Sequence, residues 1–156
     1  MSILAQIMLE IAQYGPWMRT HAGDQSCRML ADRHYSRQKV GHPQWNRPGK
    51  KLVLRTARGD AVWVTWSGIR DDGLQAWECT IFRNEAPERY RSSDMIRAAV
   101  EATIAEWGQP PPAGIITYVD ASKVRSSNPG FCFLMAGFKR IGKSKARKLD
   151  LLQYIC

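Results

Sequence analysis

The sequence lacks the cysteine spacing of a metal-binding or redox motif. Its four cysteines are scattered and form no CxxC pair; they are Cys27, Cys79, Cys132 and Cys156. Nothing therefore points to a zinc ribbon or a thioredoxin-like dithiol. We predict that the thiols are free and buried.

Long hydrophobic runs are also missing. No apolar stretch approaches the ~20 residues that a membrane-spanning helix needs. Residues 1–11 are apolar, but they carry neither a basic start nor a small-residue cleavage site, so we interpret them as part of the fold and not as a signal peptide. With 44% hydrophobic and 24% charged residues, the composition is typical of globular proteins. We expect one domain spanning residues 1–156, located in the cytoplasm, with no membrane partner.

Acidic residues are scarce. Against 23 Lys and Arg there are 14 Asp and Glu, giving a net charge of +9, and no acid interrupts residues 139–148. A basic surface attracts phosphates and favours nucleic-acid binding. The candidate DNA-binding residues are Arg37, Lys123, Arg125, Lys139, Arg140, Lys143, Lys145 and Arg147. Charge alone does not separate DNA from RNA, anionic cofactors or acidic proteins, and a solvated surface is the alternative.

Apolar periodicity and turn residues predict the order of the elements. The first half reads as an amphipathic helix over 2–12, a brief strand over 16–20, a helix capped by Asp24, an irregular loop over 38–51, and strands at 52–56, 61–66 and 76–82. The alternation in the second strand puts Trp63 and Trp66 on opposite faces. A helix from Ser92 to Gly108 follows, then a strand over 115–119, a short helix around 130–136, and strands at 138–141 and 149–155. This order predicts an α/β (α+β) fold whose mixed, largely antiparallel sheet is flanked by helices.

Several polar residues stand at the ends of these elements. Asp120 ends a strand, where ligands bind in open α/β sheets, and His34 and Tyr35 end a helix with side chains ~100° apart. Arg83 could hold a carboxylate or phosphate, and Ser92 and Ser93 begin a helix, which favours an anion.

Each of these residues also has a purely structural interpretation. His34 and Tyr35 could form a polar helix end, and Asp120 could accept hydrogen bonds from nearby amides. Arg83 could pair with Glu85, and N-capping could explain one serine. Trp45, with His42, could stack on an extruded base or simply pack against the sheet.

The order of elements resembles the GNAT acetyltransferase fold over nearly the whole chain. A closer similarity is to the Mom family, a divergent GNAT-like group of phage DNA-modification proteins. The residues that carry it are DRHYSR at 32–37, FRNE at 82–85, SS at 92–93 and YVD at 118–120. The resemblance implies conversion of adenine in double-stranded DNA to a carbamoylmethylated base, which protects phage DNA from restriction.

The resemblance also assigns roles within a single GNAT-like domain. It implies an iron site at His34, Tyr35 and Asp120, whose nitrogen and oxygen donors suit that metal. The implied catalytic residues are Asp120, Tyr35, Arg83 and Ser93, and the implied donor-binding residues are Arg83, Ser92 and Ser93. The donor of the transferred group, acetyl-CoA or another small molecule, stays open.

One departure concerns coenzyme A. Ordinary GNAT enzymes have a glycine-containing loop before the central helix, whose amides hold the coenzyme A pyrophosphate, whereas residues 83–91 contain no glycine. An acyl-CoA-dependent N-acetyltransferase of a small amine or protein is the first alternative function. A non-catalytic DNA-binding protein is the second.

Overall fold

A computed structural model describes residues 2–3, 14–123, 130–145 and 147–155. The strands are β1 (Trp17–Thr20), β2 (Lys50–Thr56), β3 (Ala61–Ser67), β4 (Trp77–Asn84), β5 (Ile115–Val119), β6 (Lys139–Lys143) and β7 (Asp150–Tyr154). The helices are α1 (Gln25–Asp32), α2 (Ser92–Trp107) and α3 (Phe131–Met135). Residues 4–12 of the helix predicted over 2–12 lie outside the described residues.

The strands form one seven-stranded sheet in the order β1-β2-β3-β4-β5-β7-β6. Every neighbouring pair is antiparallel except β4 and β5, which run parallel. The predicted fold class, a mixed and largely antiparallel sheet flanked by helices, is confirmed. Element boundaries differ from the sequence-based ones by two residues or fewer, apart from the irregular loop, which ends where β2 begins.

Alternating side chains separate two hydrophobic clusters on the two faces of the sheet. Leu52 and Leu54 belong to the cluster that packs against α2, whereas Val53 belongs to the cluster that packs against α1. Trp63 lies on the α2 face, where its indole N–H donates to the Thr65 hydroxyl (2.7 Å). Trp66 lies on the opposite face, as predicted, with the Arg47 guanidinium 4.7 Å from its ring centroid.

A β-bulge in β4 interrupts this alternation. Val64 of β3 pairs with Ile81 of β4, and the next β3 residue, Thr65, pairs with Cys79. Thr80 of β4 therefore has no partner on β3. Cys79 and Phe82 therefore both pack on the α2 face although their positions differ by three, an odd number. A bulge bends its strand and increases the local twist, and the parallel pairing of β4 with β5 is limited to Trp77↔Ile115 and Glu78↔Ile116. The two strands thus diverge, and a gap opens between their C-terminal halves.

The helices begin and end as the sequence predicts. The Asp24 carboxylate accepts a hydrogen bond from the amide of Cys27 (3.2 Å) and caps α1, as N-terminal aspartates do. Gly108, with φ of 82°, ends α2. The Trp17 indole donates to the Met95 carbonyl (2.7 Å) and ties β1 to α2. None of the described helices is both long enough and apolar enough to cross a membrane.

Candidate functional site

The gap between β4 and β5 opens into a cavity of about 350 Å³, the first cavity. Phe82 and Phe133 form its apolar floor; their rings are in edge-to-face contact with centroids 5.9 Å apart. Arg83, at the end of β4, and Ser92, the first residue of α2, supply polar groups to its wall. Because Phe82 and Phe133 pack with α2, this cavity opens toward the α2 face of the sheet.

A second cavity of about 590 Å³ lies on the opposite face. Trp45 and Ile81, which pack with α1, line it together with the buried Glu78. Five residues line both cavities; they are His34, Tyr35, Cys79, Thr80 and Tyr118. The two cavities therefore meet at the gap between β4 and β5, with the histidine and the tyrosines at the junction.

His34 is a neutral imidazole at this junction. Its Nδ1 lies 3.2 Å from the amide nitrogen of Ser36 and 2.7 Å from the Ser36 hydroxyl. Since the amide is a donor, Nδ1 accepts and the ring proton sits on Nε2. Burial, assisted by the positive charge of Arg83, lowers the pKa of His34 to about 4, because both disfavour the imidazolium. The free ring nitrogen is thus a hydrogen-bond donor at neutral pH.

Tyr35 connects the histidine to the end of β5. Its hydroxyl lies 3.5 Å from the amide nitrogen of Asp120. Burial raises the pKa of Tyr35 above its ordinary value of 10, so the side chain is a protonated phenol at neutral pH. The structure therefore brings Asp120 next to the adjacent pair His34 and Tyr35, although 85 positions separate it from Tyr35 in the sequence.

The Asp120 carboxylate is held by its own loop. Oδ1 accepts hydrogen bonds from the Ser122 hydroxyl (2.6 Å) and the Ser122 amide (3.1 Å). These bonds, with the nearby charges of Lys123 and Arg147, lower the pKa of Asp120 and keep it ionised. The structural interpretation, in which Asp120 accepts hydrogen bonds from nearby amides, is confirmed.

The three residues implied as iron ligands lie close together and have other partners here. The His34 Nδ1 accepts from the Ser36 amide, the Tyr35 hydroxyl lies 3.5 Å from the Asp120 amide nitrogen, and Asp120 Oδ1 accepts from Ser122. In the described part of the chain, no cluster of three or more His, Cys, Asp or Glu residues could hold a metal ion. The iron site stays a prediction from the resemblance, and no step below depends on it.

Arg83 pairs with Glu85, as the structural interpretation predicts. The Arg83 Nε donates to Glu85 Oε2 (2.6 Å), and Arg33 donates two hydrogen bonds to the same carboxylate (2.6 and 2.9 Å). Within the described residues, neither terminal nitrogen of Arg83 has a hydrogen-bond acceptor. The ion pair therefore orients Arg83 while leaving two donors at the first cavity.

The two serines at the start of α2 differ in position. Ser92 lines the first cavity, and its Oγ accepts a hydrogen bond from Asn84 Nδ2 (3.1 Å). Ser93 is only 7% exposed and lines neither cavity, so the structure does not support the catalytic and donor-binding roles predicted for it. Neither serine is the N-cap. That position belongs to Arg91, which makes no side-chain capping bond.

Arg37 is the clearest correction to the predicted DNA-binding set. Its side chain is 7% exposed and donates to the Asp32 carboxylate (2.6 Å), the Gln44 carbonyl (3.1 Å) and the His42 carbonyl (2.5 Å). A guanidinium with these partners fixes the loop after α1. Arg37 is therefore not available for DNA phosphates.

The other predicted cations are at the surface, with Arg125 outside the described residues. Lys123 lines the first cavity and Arg147 lines the second. Lys139, Arg140 and Lys143 lie on the fully exposed strand β6, and Lys145 is exposed in the following turn. Lys143 pairs with Asp150 (3.1 Å). Lys123 and Arg147 are therefore the predicted cations nearest to the junction of the cavities.

Trp45 does not present its ring for stacking on a base. It is 5% exposed, packs in the α1-face cluster, and donates its indole N–H to the Ala22 carbonyl (2.7 Å). The packing interpretation is confirmed. Aromatic surface at the junction comes instead from Tyr35, whose ring stacks on that of His34.

Sequence reasoning missed several residues at the junction. Tyr118 donates to the Asp72 carboxylate (3.0 Å), and burial raises its pKa to about 12. Cys79 and Cys132 line the first cavity as free thiols whose pKa values burial raises. Cys27 and Cys79 are buried as predicted, Cys132 is partly buried, and Cys156 lies outside the described residues.

Comparison of the chain with known protein families, curated proteins and solved structures finds no match. Support for a function therefore comes from the chain's own residues. These provide two cavities that meet at a neutral imidazole and a phenol, a carboxylate beside them, and basic side chains around the openings.

Proposed function

We propose that this protein transfers a small group to the exocyclic amine of adenine in double-stranded DNA, as the Mom family does. The observation that carries the proposal is the meeting of two cavities from opposite faces of the sheet at His34 and Tyr35. Such an arrangement would let a donor in one cavity and an acceptor in the other reach the same atoms from different sides. In the proposal the reaction takes place in the host-cell cytoplasm and protects phage DNA from restriction.

The first cavity suits the group donor. Its polar wall includes Arg83, whose two terminal nitrogens have no acceptor among the described residues, together with the Ser92 hydroxyl and the exposed Lys123. These groups attract a negatively charged molecule. Its apolar floor of Phe82 and Phe133 leaves room for an uncharged portion, and its volume is at the small end of small-molecule sites, which span ~300–1,000 Å³.

The second cavity suits the acceptor. An amine inside a base pair cannot reach a deep site, so the base must leave the helix. This cavity is larger, and Lys39, Arg47 and Arg147 line it from exposed positions. Cations at its opening would hold the DNA backbone without reading its sequence. The extruded base would then meet the Tyr35 ring instead of Trp45.

The junction residues can assist the transfer. A new bond forms between the adenine nitrogen and a carbon of the donor, the bond from that carbon to its leaving group breaks, and the nitrogen loses a proton. The His34 Nε2–H and the Tyr35 hydroxyl are placed to donate hydrogen bonds to the negative charge that develops on the donor. The ionised Asp120 would accept the proton of the nitrogen.

The test is the mass of the nucleosides in DNA from cells that express the protein. Wild-type protein should produce a deoxyadenosine of increased mass, and Asp120→Ala should abolish it. Arg19→Gln is the matched control, because Arg19 lies on the edge strand β1, which β2, β3 and β4 separate from β5, and pairs there with Glu106 of α2. Unmodified deoxyadenosine with the wild-type protein would contradict the proposal.

The non-catalytic alternative has its own signature. If the protein only binds DNA, a variant that carries both His34→Ala and Asp120→Ala should bind DNA as tightly as wild type and retain full biological effect. Loss of protection from restriction with unchanged DNA affinity would instead support catalysis at the junction.

A further inference from the structure

The loop between β4 and α2 decides which donors the first cavity can accept. It comprises residues 85–91, between Asn84 at the end of β4 and Ser92 at the start of α2. A nucleotide pyrophosphate bound here would need unpaired backbone amides directed at its oxygens. The hydrogen bonds of this loop therefore test whether such a ligand fits.

Most of the loop's amides already have protein acceptors. The Glu85 amide donates to the Asp60 carbonyl (2.8 Å), and the Ala86 amide donates to Asn84 Oδ1 (2.9 Å). The amides of Arg89 and Tyr90 both donate to the Ala86 carbonyl (3.0 Å each). Pro87 has no amide hydrogen. With these donors satisfied, the loop itself contributes few amides to two adjacent phosphates, and the remaining backbone donors are those at the start of α2, which has no capping side chain.

The positive charge at the cavity instead comes from the Arg83 side chain, which neighbouring residues hold in place. Glu85 fixes the Nε of Arg83 and is itself fixed by two hydrogen bonds from Arg33. Arg83 lines the first cavity, and its two terminal nitrogens have no acceptor among the described residues; such a pair of donors matches the two oxygens of one carboxylate or phosphate. The Ser92 hydroxyl accepts from Asn84 Nδ2, which leaves its proton for the same oxyanion.

We infer that the first cavity binds a small donor through a single oxyanionic group held by Arg83 and Ser92, and that it does not bind coenzyme A. A cavity of about 350 Å³ has room for one compact anion and a short apolar or neutral portion on Phe82 and Phe133. The carboxylate and phosphate classes share this chemistry. Only the identification of this ligand as the group donor rests on the proposed function.

The experiment measures ligand binding without DNA, so its outcome is separate from that of the DNA-modification test. ¹⁵N-labelled full-length protein is titrated with sodium acetate, with inorganic phosphate and with coenzyme A at constant ionic strength. We expect acetate or phosphate to shift the amide signals around Arg83 and Ser92, and the tighter of the two identifies the anionic group. We expect coenzyme A to leave the amides of residues 85–91 unshifted.

Three variants test whether anion binding at the first cavity depends on the ion pair between Arg83 and Glu85. Arg83→Gln should weaken binding of the better anion at least tenfold. Glu85→Gln should tighten it, because the competing carboxylate charge is removed. Arg89→Gln is the matched control; it neutralises an arginine of the same loop that pairs with Asp60 at 3.5 Å and lines neither cavity, and it should leave the affinity within twofold.

Three results would overturn the inference. The first is coenzyme A binding more tightly than both anions while shifting the amides of residues 85–91. The second is an affinity that Arg83→Gln leaves unchanged. The third is the absence of any shift near Arg83 and Ser92 with either anion at concentrations that saturate weak sites.

Discussion

The rings of His34 and Tyr35 stack, with centroids 4.3 Å apart and planes inclined by 29°. The two side chains lie just after α1, and both line the first and the second cavity. A charge on the imidazole would therefore lie at the junction of the cavities, near the positive charge of Arg83. The protonation state of His34 should affect both the stability of the fold and the chemistry of the junction.

The stability of the protein should fall as the pH decreases from 6.5 toward 4. The folded pKa of His34, about 4, is below the unfolded value of 6.5, so the unfolded state binds the proton more readily in this interval. The free energy of unfolding should drop by ~2 kcal/mol from this group between pH 7 and pH 5. Urea unfolding at the two pH values measures the drop.

The control for this prediction is His34→Gln, which cannot titrate. The variant should lose less stability than wild type between pH 7 and pH 5, while the titration of other groups affects both proteins alike. Equal losses in the two proteins would show that the His34 pKa is not depressed in the folded state.

Arg37→Ala should destabilise the fold by about 2 kcal/mol, because it removes the partner of Asp32 and two bonds to loop carbonyls. Lys39→Ala, an exposed change two residues later, should cost less than ~0.5 kcal/mol. Urea unfolding compares the two variants. If Arg37→Ala also reduced the salt dependence of DNA binding, the result would show that Arg37 contacts a DNA phosphate.

Trp45→Ala should cost ~3–5 kcal/mol, as removal of a large buried side chain does. The ring packs in the α1-face cluster, and its N–H bond to the Ala22 carbonyl would be lost as well. Val40→Ala in the same loop is the control, since Val40 is 74% exposed. Thermal unfolding would contradict the packing role if both variants melted at the same temperature.

The sequence predicts the elements well because their signals are local. Alternating residues mark the strands, Asp24 marks the start of α1, and Gly108 marks the end of α2. The bulge at Thr80 has no such signal, because an unpaired residue is defined only by the register of the neighbouring strand. The local sequence pattern therefore does not indicate the divergence of β4 from β5 at the first cavity.

The roles of individual side chains were harder to predict than their elements. Arg37 and Arg147 are equally basic in the sequence, yet the first is enclosed by loop carbonyls and the second is exposed. Partners of this kind come from the path of an irregular loop. Trp45 illustrates the same difficulty, because an aromatic residue in a loop can either pack in the hydrophobic core or contact a ligand.

Arg147→Gln should weaken DNA binding and reduce the slope of log K against log salt concentration by ~0.9, the value for one lost phosphate contact. Arg147 is exposed at the second cavity. Arg19→Gln removes the same charge at the distant edge of the sheet and should leave the slope unchanged. Fluorescence anisotropy with a short duplex at several salt concentrations measures both slopes, and identical slopes for the two variants would contradict the prediction.

The exposed strand β6 carries Lys139, Arg140 and Lys143 along an open edge of the sheet. An edge strand offers unpaired backbone groups to any other strand, and charged side chains are a common protection against such pairing. Neutralising all three together would therefore promote self-association and aggregation, whatever their contribution to DNA binding. The positive charge of this strand therefore opposes pairing of its edge with a strand of another molecule.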